Sequence, residues 1–447
     1  MDARSLTRWA LLHGLVRVAL RQAARSGDLQ ATFMTRAHYR DDPFAFYEQV
    51  RARGPLVRGR LAWTTATYSV CSTVLRSEDF RVSSDGEQLP AVLRRAVQWS
   101  RDPRARGPLD PPSMLAVEPP DHTRYRRLVS KVFTARAVEG LRVRTQEIAD
   151  DLLDRLEATD RVDGVDLVQS YAALLPVAVI GEVLGVRPQD QEALLRFGHD
   201  AAPSLDVGLS YGQFRIVDTA VRGFQDWLGG HLERLRREPG DDLLSQLVHA
   251  EDEGRRLDDT ELRATAGLLL SAGFETTVNL LGSGTALLLA HPDQLDVLRA
   301  EPAAWPGAVE EVLRLEGPVQ MTSRLVVRDT ELAGRAVSRG SRVVTYLAGA
   351  GRDPDVFDRP HELDVRRHNA RDHLTFSAGR HFCVGAALAR LEGETGPRSL
   401  FERYPDLALE GPGRRRTTRV LRGWERLPVR TGAARPHPAA SPGPRGD

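Results

Sequence analysis

The chain has 447 residues and a formal net charge of +1, from 62 basic and 61 acidic side chains. A nucleic-acid-binding protein is expected to gather a basic excess on one face, so this balance argues against that class. The two cysteines, Cys71 and Cys383, are too few for a disulfide framework, which predicts a reducing compartment. The length would allow about three domains, but no linker-like stretch divides the middle of the chain.

The first segment, residues 8–21, is predicted to be a helix. His13, Arg17 and Arg21 recur every four residues and would form a polar stripe along it. Its apolar run is interrupted by charge and is too short to cross a bilayer. Two placements stay open: the helix docks on the protein's own surface, or it lies in a membrane interface. We assign residues 1–40 to an amphipathic N-terminal segment.

Residues 42–60 predict a helix that is stopped by Gly54-Pro55 and followed by a strand, and residues 61–70 predict a further strand. Residues 83–112 are polar and rich in glycine, proline and arginine, with one short apolar run at 91–97. Because long irregular segments inside a compact domain are often functional, we expect this one to serve a site.

A helix is predicted to begin near Asp121 and to continue through Val129. His122 and Arg126 are four residues apart, so they share one face of this helix. On spacing alone, a solvated face with surface salt bridges explains the pair.

Residues 140–258 are predicted to form a series of amphipathic helices. Breaks are expected near Pro188 and Gly240, and at 202–206, where proline or glycine interrupts the pattern. The longest helical pattern follows at 259–290 and contains no proline.

This long helix is apolar nearly all round, which predicts that it is buried in protein. It is not predicted to lie in lipid, because Glu275 and Asn279 would be unpaired there. A buried Glu275 needs a reason, and a structural partner is the simpler one. Thr276 can donate a hydrogen bond to a carbonyl one turn earlier. Gly273 is expected to leave room for a flat ligand.

Glu311 and Arg314 are three residues apart on a predicted helix that Trp305-Pro306 opens. Alone, this Glu-x-x-Arg pair is a weak signal. Residues 325–346 alternate strand and turn signals, and 329–334 predicts a hairpin-like connection.

The stretch Phe376–Gly385 has the sequence Phe-Ser-Ala-Gly-Arg-His-Phe-Cys-Val-Gly, and strong helix formers follow it. Cys383 is therefore predicted to lie at or just before a helix N-terminus, where free N–H groups and the macrodipole favour a thiolate. Gly379 and Gly385 allow tight turns and close approach of a flat ligand. For a single cysteine, a buried structural role is the simpler alternative.

The spacing Phe-x-x-Gly-x-His-x-Cys-x-Gly resembles the haem-binding loop of the cytochrome P450 family, the haem-thiolate monooxygenases, at every fixed position. The segment Ala272–Thr277 is similar to the family's oxygen-binding segment, and the pair of Glu311 and Arg314 to its third signature. These signatures stand in family order and look like those of an actinobacterial group.

The resemblance implies a mainly α fold with small β-sheets, of the α+β class. The fold that the resemblance implies is the cytochrome P450 fold, a single haem-centred unit with a long central helix. This domain is assigned to residues 41–430. Residues 407–429 are predicted to form its final small sheet. Residues 431–447 are predicted to be a disordered tail, because they show no apolar periodicity.

By this resemblance Cys383 is the metal ligand, the axial ligand of haem b, and thiolate donation favours O–O cleavage. Basic side chains would hold the haem propionates through charge-assisted bonds. The other residues that the resemblance assigns to the cofactor are His122, Arg126, Gly273, Arg324, Phe376, Gly379, His381 and Gly385.

The resemblance also implies a catalytic pair, in which Thr276 donates a hydrogen bond to dioxygen and Glu275 relays protons through water. Arg367 is expected to join the structural pair of Glu311 and Arg314. The residues assigned to the substrate pocket are Ala272, Val319 and Thr322, with further lining from the loop before residue 115 and a lid at 200–210.

No dinucleotide-binding pattern occurs in the sequence, so electrons are expected from another protein. The resemblance implies a ferredoxin and its NAD(P)H-dependent reductase, docking near Arg380, His381 and Arg390. The predicted function is insertion of one atom of dioxygen into a small apolar molecule, in the cytoplasm and without a membrane span. The alternatives are a peroxide-driven haem peroxygenase and a haem protein that binds a ligand without turnover. A zinc or nucleophile hydrolase is disfavoured, because Cys383 has no second cysteine nearby.

Overall fold

The computed structural model describes residues 3–82, 90–158, 164–252 and 254–435. Helices dominate these ranges. The α-helices are Ala3–Trp9, Leu15–Arg25, Leu29–Thr35, His38–Asp41, Phe44–Ala52, Tyr68–Arg76, Ala91–Ser100, Asp121–Val132, Ala135–Glu139, Arg142–Ala158, Leu174–Val183, Gln191–Ala201, Tyr211–Arg237, Leu243–His249, Asp259–Leu289, Pro292–Ala300, Trp305–Glu316, Leu347–Ala350 and Ala386–Arg403. Two π-helical turns occur at Ala10–Gly14 and Val168–Ala172.

The strands are short and lie to the side of the helices. They are Val57–Arg58, Trp63–Thr65, Phe80–Arg81, Val165–Asp166, Met321–Val326, Thr330–Leu332, Arg335–Val337, Arg342–Tyr346, Ala408–Leu409, Arg414–Arg415, Trp424–Arg426 and Pro428–Arg430. The largest sheet has five strands, and its one parallel pair joins Trp63–Thr65 to Arg342–Tyr346. A three-stranded sheet pairs Pro428–Arg430 with Val165–Asp166 and with Ala408–Leu409.

The fold is built around Asp259–Leu289, which we call the central helix. It has 31 residues and is about 46 Å long at the usual rise per residue. A capping box begins it, in which Asp258 accepts from the N–H of Glu261 and the Glu261 side chain accepts from the N–H of Asp258. Helices Leu174–Val183 and Trp305–Glu316 pack against it, as does Ala386–Arg403, which we call the cysteine helix. The predicted extent and burial of the central helix are confirmed.

Two predictions before residue 112 are corrected. The strand expected over 61–70 ends at Thr65, and a helix begins at Tyr68. Val70, Cys71, Val74 and Leu75 are buried on one face of that helix, a period that so short an apolar run does not reveal. The segment 83–112 is not irregular throughout, since Ala91–Ser100 is helical, and residues 83–89 lie outside the described ranges.

The first helix docks on the protein's own surface through one side, and its other side is exposed. Residues 3–25 form one helix with a π-helical turn, which we call the N-terminal helix. Leu20 and Ala23 are buried, Arg8 pairs with Asp218, and Trp9 Nε1 donates to the Leu209 carbonyl at 3.0 Å. Among the described helices, none combines the length and apolar character that crossing a bilayer requires.

The beginning of the predicted tail is ordered. The Arg435 N–H donates to the Arg403 carbonyl at 2.8 Å, and Ala434 packs against the main core. The prediction of disorder is therefore wrong for residues 431–435. Residues 436–447 lie outside the described ranges.

Candidate active site

The segment Phe376–Gly385, which we call the cysteine loop, folds back on itself just before the cysteine helix. The Cys383 N–H donates to the Phe376 carbonyl at 2.9 Å. Gly379 has a φ of +66°, and a Cβ at this position would lie 2.6 Å from the Leu75 carbonyl oxygen. Only glycine both adopts this positive φ without strain and leaves room for the Leu75 carbonyl, so the predicted tight turn is present.

Cys383 carries a free thiol three residues before the cysteine helix begins at Ala386. Burial raises its pKa, although the Gly385 N–H, Arg126 and Arg390 act in the opposite direction. The helix N-terminus therefore does act in favour of the thiolate, but desolvation outweighs it in the protein alone. A coordinating metal cation would deprotonate this sulfur.

Two of the predicted cofactor-binding histidines meet beside the cysteine loop. The rings of His122 and His381 have centroids 4.4 Å apart, and His122 is buried. His122 therefore does not lie on a solvated face. Burial and the proximity of His381 lower the pKa of His122 to about 4.

Glu118 supplies the negative charge beside these histidines. It lies 3.0 Å from Arg380 Nη1 and 3.5 Å from His381 Nε2, and it accepts from the Val82 N–H at 2.7 Å. Burial favours its neutral form, but the nearby His381, the Val82 N–H and Arg380 outweigh burial and hold its pKa at about 2. The sequence prediction missed Glu118.

The two predicted propionate-binding arginines flank the same region. Arg126 Nη1 donates to the Phe382 carbonyl at 2.5 Å. Arg324 is buried, and it donates at 3.0 Å to Thr322 Oγ1 and to the Ser323 carbonyl. Burial lowers the pKa of Arg324 to about 10, and in the described part of the chain no carboxylate lies within ion-pair distance of it. Its charge is thus available to an anion.

On the central helix, Thr276 Oγ1 donates to the Ala272 carbonyl at 2.9 Å, the bond that the sequence predicted. Ala272 is exposed and Thr276 is half-buried, although residues 265–270 just before them are buried. This turn of the helix therefore presents one open face between packed neighbours.

The interpretation of Gly273 is corrected. A Cβ built on Gly273 would lie 2.9 Å from Ile180 Cδ1, on the helix Leu174–Val183. Gly273 lets two helices approach closely, and the room it leaves is not on the face that carries Ala272 and Thr276. A motif match cannot tell which face of a helix needs the glycine.

Glu275 has a charged partner that the sequence did not reveal. Its Oε1 lies 3.0 Å from Arg416 Nη1, and both side chains are less than 10% exposed. Burial raises the pKa of Glu275 to about 7, with Arg416 opposing the rise. Arg416 Nη1 also lies 3.4 Å from Nδ1 of His199, an exposed residue. A polar chain thus runs from Glu275 to the surface.

Glu311, Arg314 and Arg367 come together in the core, as expected. Both Glu311 oxygens accept from Arg314 at 2.7 Å, and Arg367 Nε lies 3.0 Å from Glu311 Oε1. Glu311 and Arg314 are fully buried. Arg314 also donates to the carbonyls of Gly351 and Pro360, so the set fixes the chain that leads to the cysteine loop.

A cavity of about 280 Å³ lies against the first half of the central helix. Its walls come from the loop at 103–110, Gln191–Ala201, Tyr211–Arg237, which we call the roof helix, and the central helix. The lining residues that shape it are Leu194, Phe197, Val221, Phe224, Leu268 and Phe274. The loop before residue 115 contributes part of the cavity wall, whereas of the lid expected at 200–210 only Ala201 reaches the cavity.

None of the three predicted pocket residues lines this cavity. Val319 forms a β-bridge with Leu421, and Thr322 pairs with Thr345 inside a sheet. Ala272 is one residue beyond Ser271, which does line it. Side chains near the cofactor signatures were therefore poor guides to this cavity, whose walls are assembled from distant helices.

These residues fit a haem. Cys383 offers a single sulfur ligand, and no three His, Cys, Asp or Glu side chains converge on a metal site in the described ranges. His381 Nε2 is buried and lies 3.5 Å from Glu118 without a well-formed hydrogen bond to it, and Arg324 lies within ion-pair distance of no carboxylate in the described part of the chain. A group that brings a metal with its own ligands, and carboxylates for the basic side chains, matches this donor set.

Known proteins share this sequence and fold. The family described as "Cytochrome P450" matches residues 306–404. "Putative cytochrome P450 140" of Mycobacterium tuberculosis is 51% identical over 430 residues, 96% of this chain and 98% of that relative. "Cytochrome P450 monooxygenase PikC" of Streptomyces venezuelae is 41% identical over 400 residues, 87% of this chain and 91% of the relative. The solved structure of epothilone D-bound cytochrome P450epoK is 32% identical, with a TM-score of 0.79, over 88% of this chain and 97% of that one.

The identity to these relatives extends over nearly the whole chain, and the helical fold with small sheets agrees with the solved structure. The chain therefore belongs to the cytochrome P450 family and is a haem b monooxygenase that uses dioxygen and acts on a small molecule.

Proposed function

We propose that Cys383 binds the iron of haem b and that His122, Arg126, Arg324 and His381 hold its propionates. The observation that carries this proposal is a free thiol, next to a helix N-terminus, beside buried basic side chains that lack a full set of partners. When bound, the haem supplies the chemistry that activates dioxygen. Phe376, Gly379 and Gly385 give the cysteine loop its shape.

The chain's own contribution to turnover is the controlled delivery of protons. Thr276 Oγ1 stands on the open face of the central helix, and Glu275 is its neighbour. A carboxyl with a pKa of about 7 both accepts and donates a proton at neutral pH. The Arg416 guanidinium lies beside that carboxyl, and His199 lies between Arg416 and the surface. We assign the catalytic roles to Glu275 and Thr276.

The proposed substrate is a small apolar organic molecule. Leucine, valine and phenylalanine supply six of the 21 residues that line the cavity, and its five charged residues lie on the loop at 103–110, on the roof helix and, as Arg263, near the start of the central helix. Ligand pockets of about 300–1,000 Å³ suit drug-sized molecules, so about 280 Å³ suits a compact one.

We propose that the electrons come from a ferredoxin and its reductase in the cytoplasm. The docking cations expected from the sequence need revision, because Arg390 pairs with Glu310 at 2.6 Å and Arg380 with Glu118. Arg76 and Arg371 are more exposed, although Arg371 Nε also lies 3.4 Å from Glu310, and Arg76 lies against Gly379 of the cysteine loop. Charge reversal at Arg76 and Arg371 is expected to slow reduction by a ferredoxin, most strongly at low salt.

Carbon monoxide added to the reduced protein tests the iron ligand. We expect the red-shifted absorbance of a thiolate-bound haem, its loss in Cys383→Ser, and its retention in the matched variant Cys71→Ala. A parent protein without this absorbance would overturn the proposal. Turnover with hydrogen peroxide but not with ferredoxin, reductase and NADH would instead assign the peroxygenase reaction.

A further inference from the structure

The N-terminal helix and the helix Ala91–Ser100 pack side by side on the outside of the roof helix. The Arg4 guanidinium lies 5.5 Å from the centre of the Trp99 ring and joins the two helices. Arg8 pairs with Asp218 of the roof helix, and Arg17 donates to the Gly208 carbonyl. We call the exposed residues of these two helices the basic face.

The basic face carries charge of one sign. Residues 3–27 contain five arginines and residues 90–101 contain three, and neither stretch contains an acidic residue, although the whole chain has a net charge of only +1. Six of these eight arginines are exposed. The described carboxylates nearby are already engaged: Asp28 caps a helix, Asp218 pairs with Arg8, and Asp102 pairs with Arg222.

Large apolar side chains stand among these arginines. Leu15 is 54% exposed, Val18 62%, Val92 76% and Trp99 53%. Leu15 and Val18 are three residues apart, and Val92 and Trp99 are seven residues apart. Each pair therefore lies on one side of its helix. Helices with one docked face, arginines, and exposed leucine, valine and tryptophan have the character of helices that lie in a bilayer interface.

We propose that the basic face binds the surface of an anionic lipid bilayer. Arginines alone would also suit an acidic protein partner, but the exposed leucine, valine and tryptophan side chains that stand among them favour an anionic bilayer, into which such side chains insert. The apolar side chains stand singly along two helices, which suits shallow insertion among headgroups better than a grooved fit.

The location of the basic face links the bilayer to the substrate route. The helix Ala91–Ser100 leads into Pro103–Ala105, whose Pro103 and Arg104 line the cavity, and the N-terminal helix contacts the roof helix, another part of which lines the same cavity. An apolar molecule dissolved in the bilayer would enter beside these elements. This last step rests on the proposed substrate class, whereas the binding does not.

Co-sedimentation of the holoenzyme with vesicles tests the proposal. We expect binding to vesicles of phosphatidylcholine with one quarter phosphatidylglycerol, little binding to phosphatidylcholine alone, and release as salt rises. Arg21→Gln and Arg25→Gln should each weaken binding about fivefold. Leu15→Glu and Val18→Glu should each weaken it at least about tenfold.

Val143→Glu is the matched control, because Val143 is 70% exposed on a different helix, Arg142–Ala158. The carbon monoxide spectrum, measured on every variant, shows whether the haem site is intact independently of lipid binding. The proposal is overturned by equal binding to neutral vesicles, by Val143→Glu weakening binding as much as Val18→Glu, or by no binding at all. A dimer of the parent protein that Val18→Glu dissociates, without lipid binding, would assign the basic face to a second copy.

Discussion

Glu311 and Glu392 are two fully buried glutamates whose replacement by glutamine should have opposite consequences. The Glu311 carboxylate accepts from Arg314, from Arg367 and from the Asp364 N–H. It neutralises two buried guanidinium groups. Glu311→Gln keeps the shape of the side chain but leaves both guanidinium groups without a counter-charge.

Breaking a buried ion pair from one side costs about 3–5 kcal/mol, a large part of the roughly 5–15 kcal/mol by which domains are stable. For a chain of 447 residues the entropy of unfolding is about 0.9 kcal/mol/K. Glu311→Gln should therefore lower the Tm by about 3–5 °C.

Glu392 is the matched control. Within the described residues neither of its carboxyl oxygens has a hydrogen-bond partner, and burial raises its pKa well above the usual value. The native protein therefore holds this proton, which the unfolded chain releases above about pH 4.3. Stability should fall as pH rises above that value, and Glu392→Gln should remove this decline. At pH 5 its Tm should differ from the parent's by less than about 1 °C.

Thermal unfolding of the three holoproteins, followed by circular dichroism and the haem absorbance between pH 5 and 8, measures both effects. A Tm for Glu311→Gln that equals the parent's at every pH would refute the argument for a buried counter-charge. A loss for Glu392→Gln as large as that for Glu311→Gln would show that Glu392 is ionised and paired.

Three further changes test the site. Thr276→Ala should leave the Soret shift on substrate binding unchanged while NADH consumption yields hydrogen peroxide in place of product, because a methyl group cannot donate a proton; coupling equal to the parent's would contradict this. Arg416→Gln should raise the pKa of Glu275 above about 7, by about 1 to 3 units, because the nearby positive charge is lost. The titration can be followed through the infrared band of the Glu275 carboxyl, which is identified by its absence in Glu275→Gln. A titration midpoint equal to the parent's would exclude the ion pair. Arg104→Gln removes the bond of 2.7 Å between Arg104 Nη2 and Asp226 Oδ2, which joins the loop at 103–110 to the roof helix at the cavity wall, so substrate should bind up to about fivefold faster. The parent should match the variant at high salt, and an unchanged rate would show that this ion pair does not limit substrate entry.

Local patterns made much of the fold predictable. An apolar run without proline predicted the central helix, and the spacing of the cysteine loop predicted the turn at Gly379. Glu311 and Arg314 could be paired because they are one helical turn apart.

The features that the sequence did not predict depend on tertiary contacts. Arg416 is 141 positions from Glu275, and a run of arginines in a short hairpin gives no sign of which one turns inward. Gly273 was assigned to the wrong neighbour, because its contact with Ile180 comes from the packing of two helices. Four segments that are distant in the sequence form the cavity wall, so no single stretch of sequence predicts the lining residues.

The three-stranded sheet constrains how a ribosome can produce this enzyme. Strand Val165–Asp166 pairs with Pro428–Arg430, and 262 positions separate Asp166 from Pro428. At about 5–20 residues per second, the earlier strand waits roughly 13–52 s after synthesis for its partner. Throughout that interval its backbone edge is unpaired and open to other nascent chains. Slower translation would lengthen this exposure, so the yield of soluble enzyme should improve when the codons for residues 167–428 are decoded quickly.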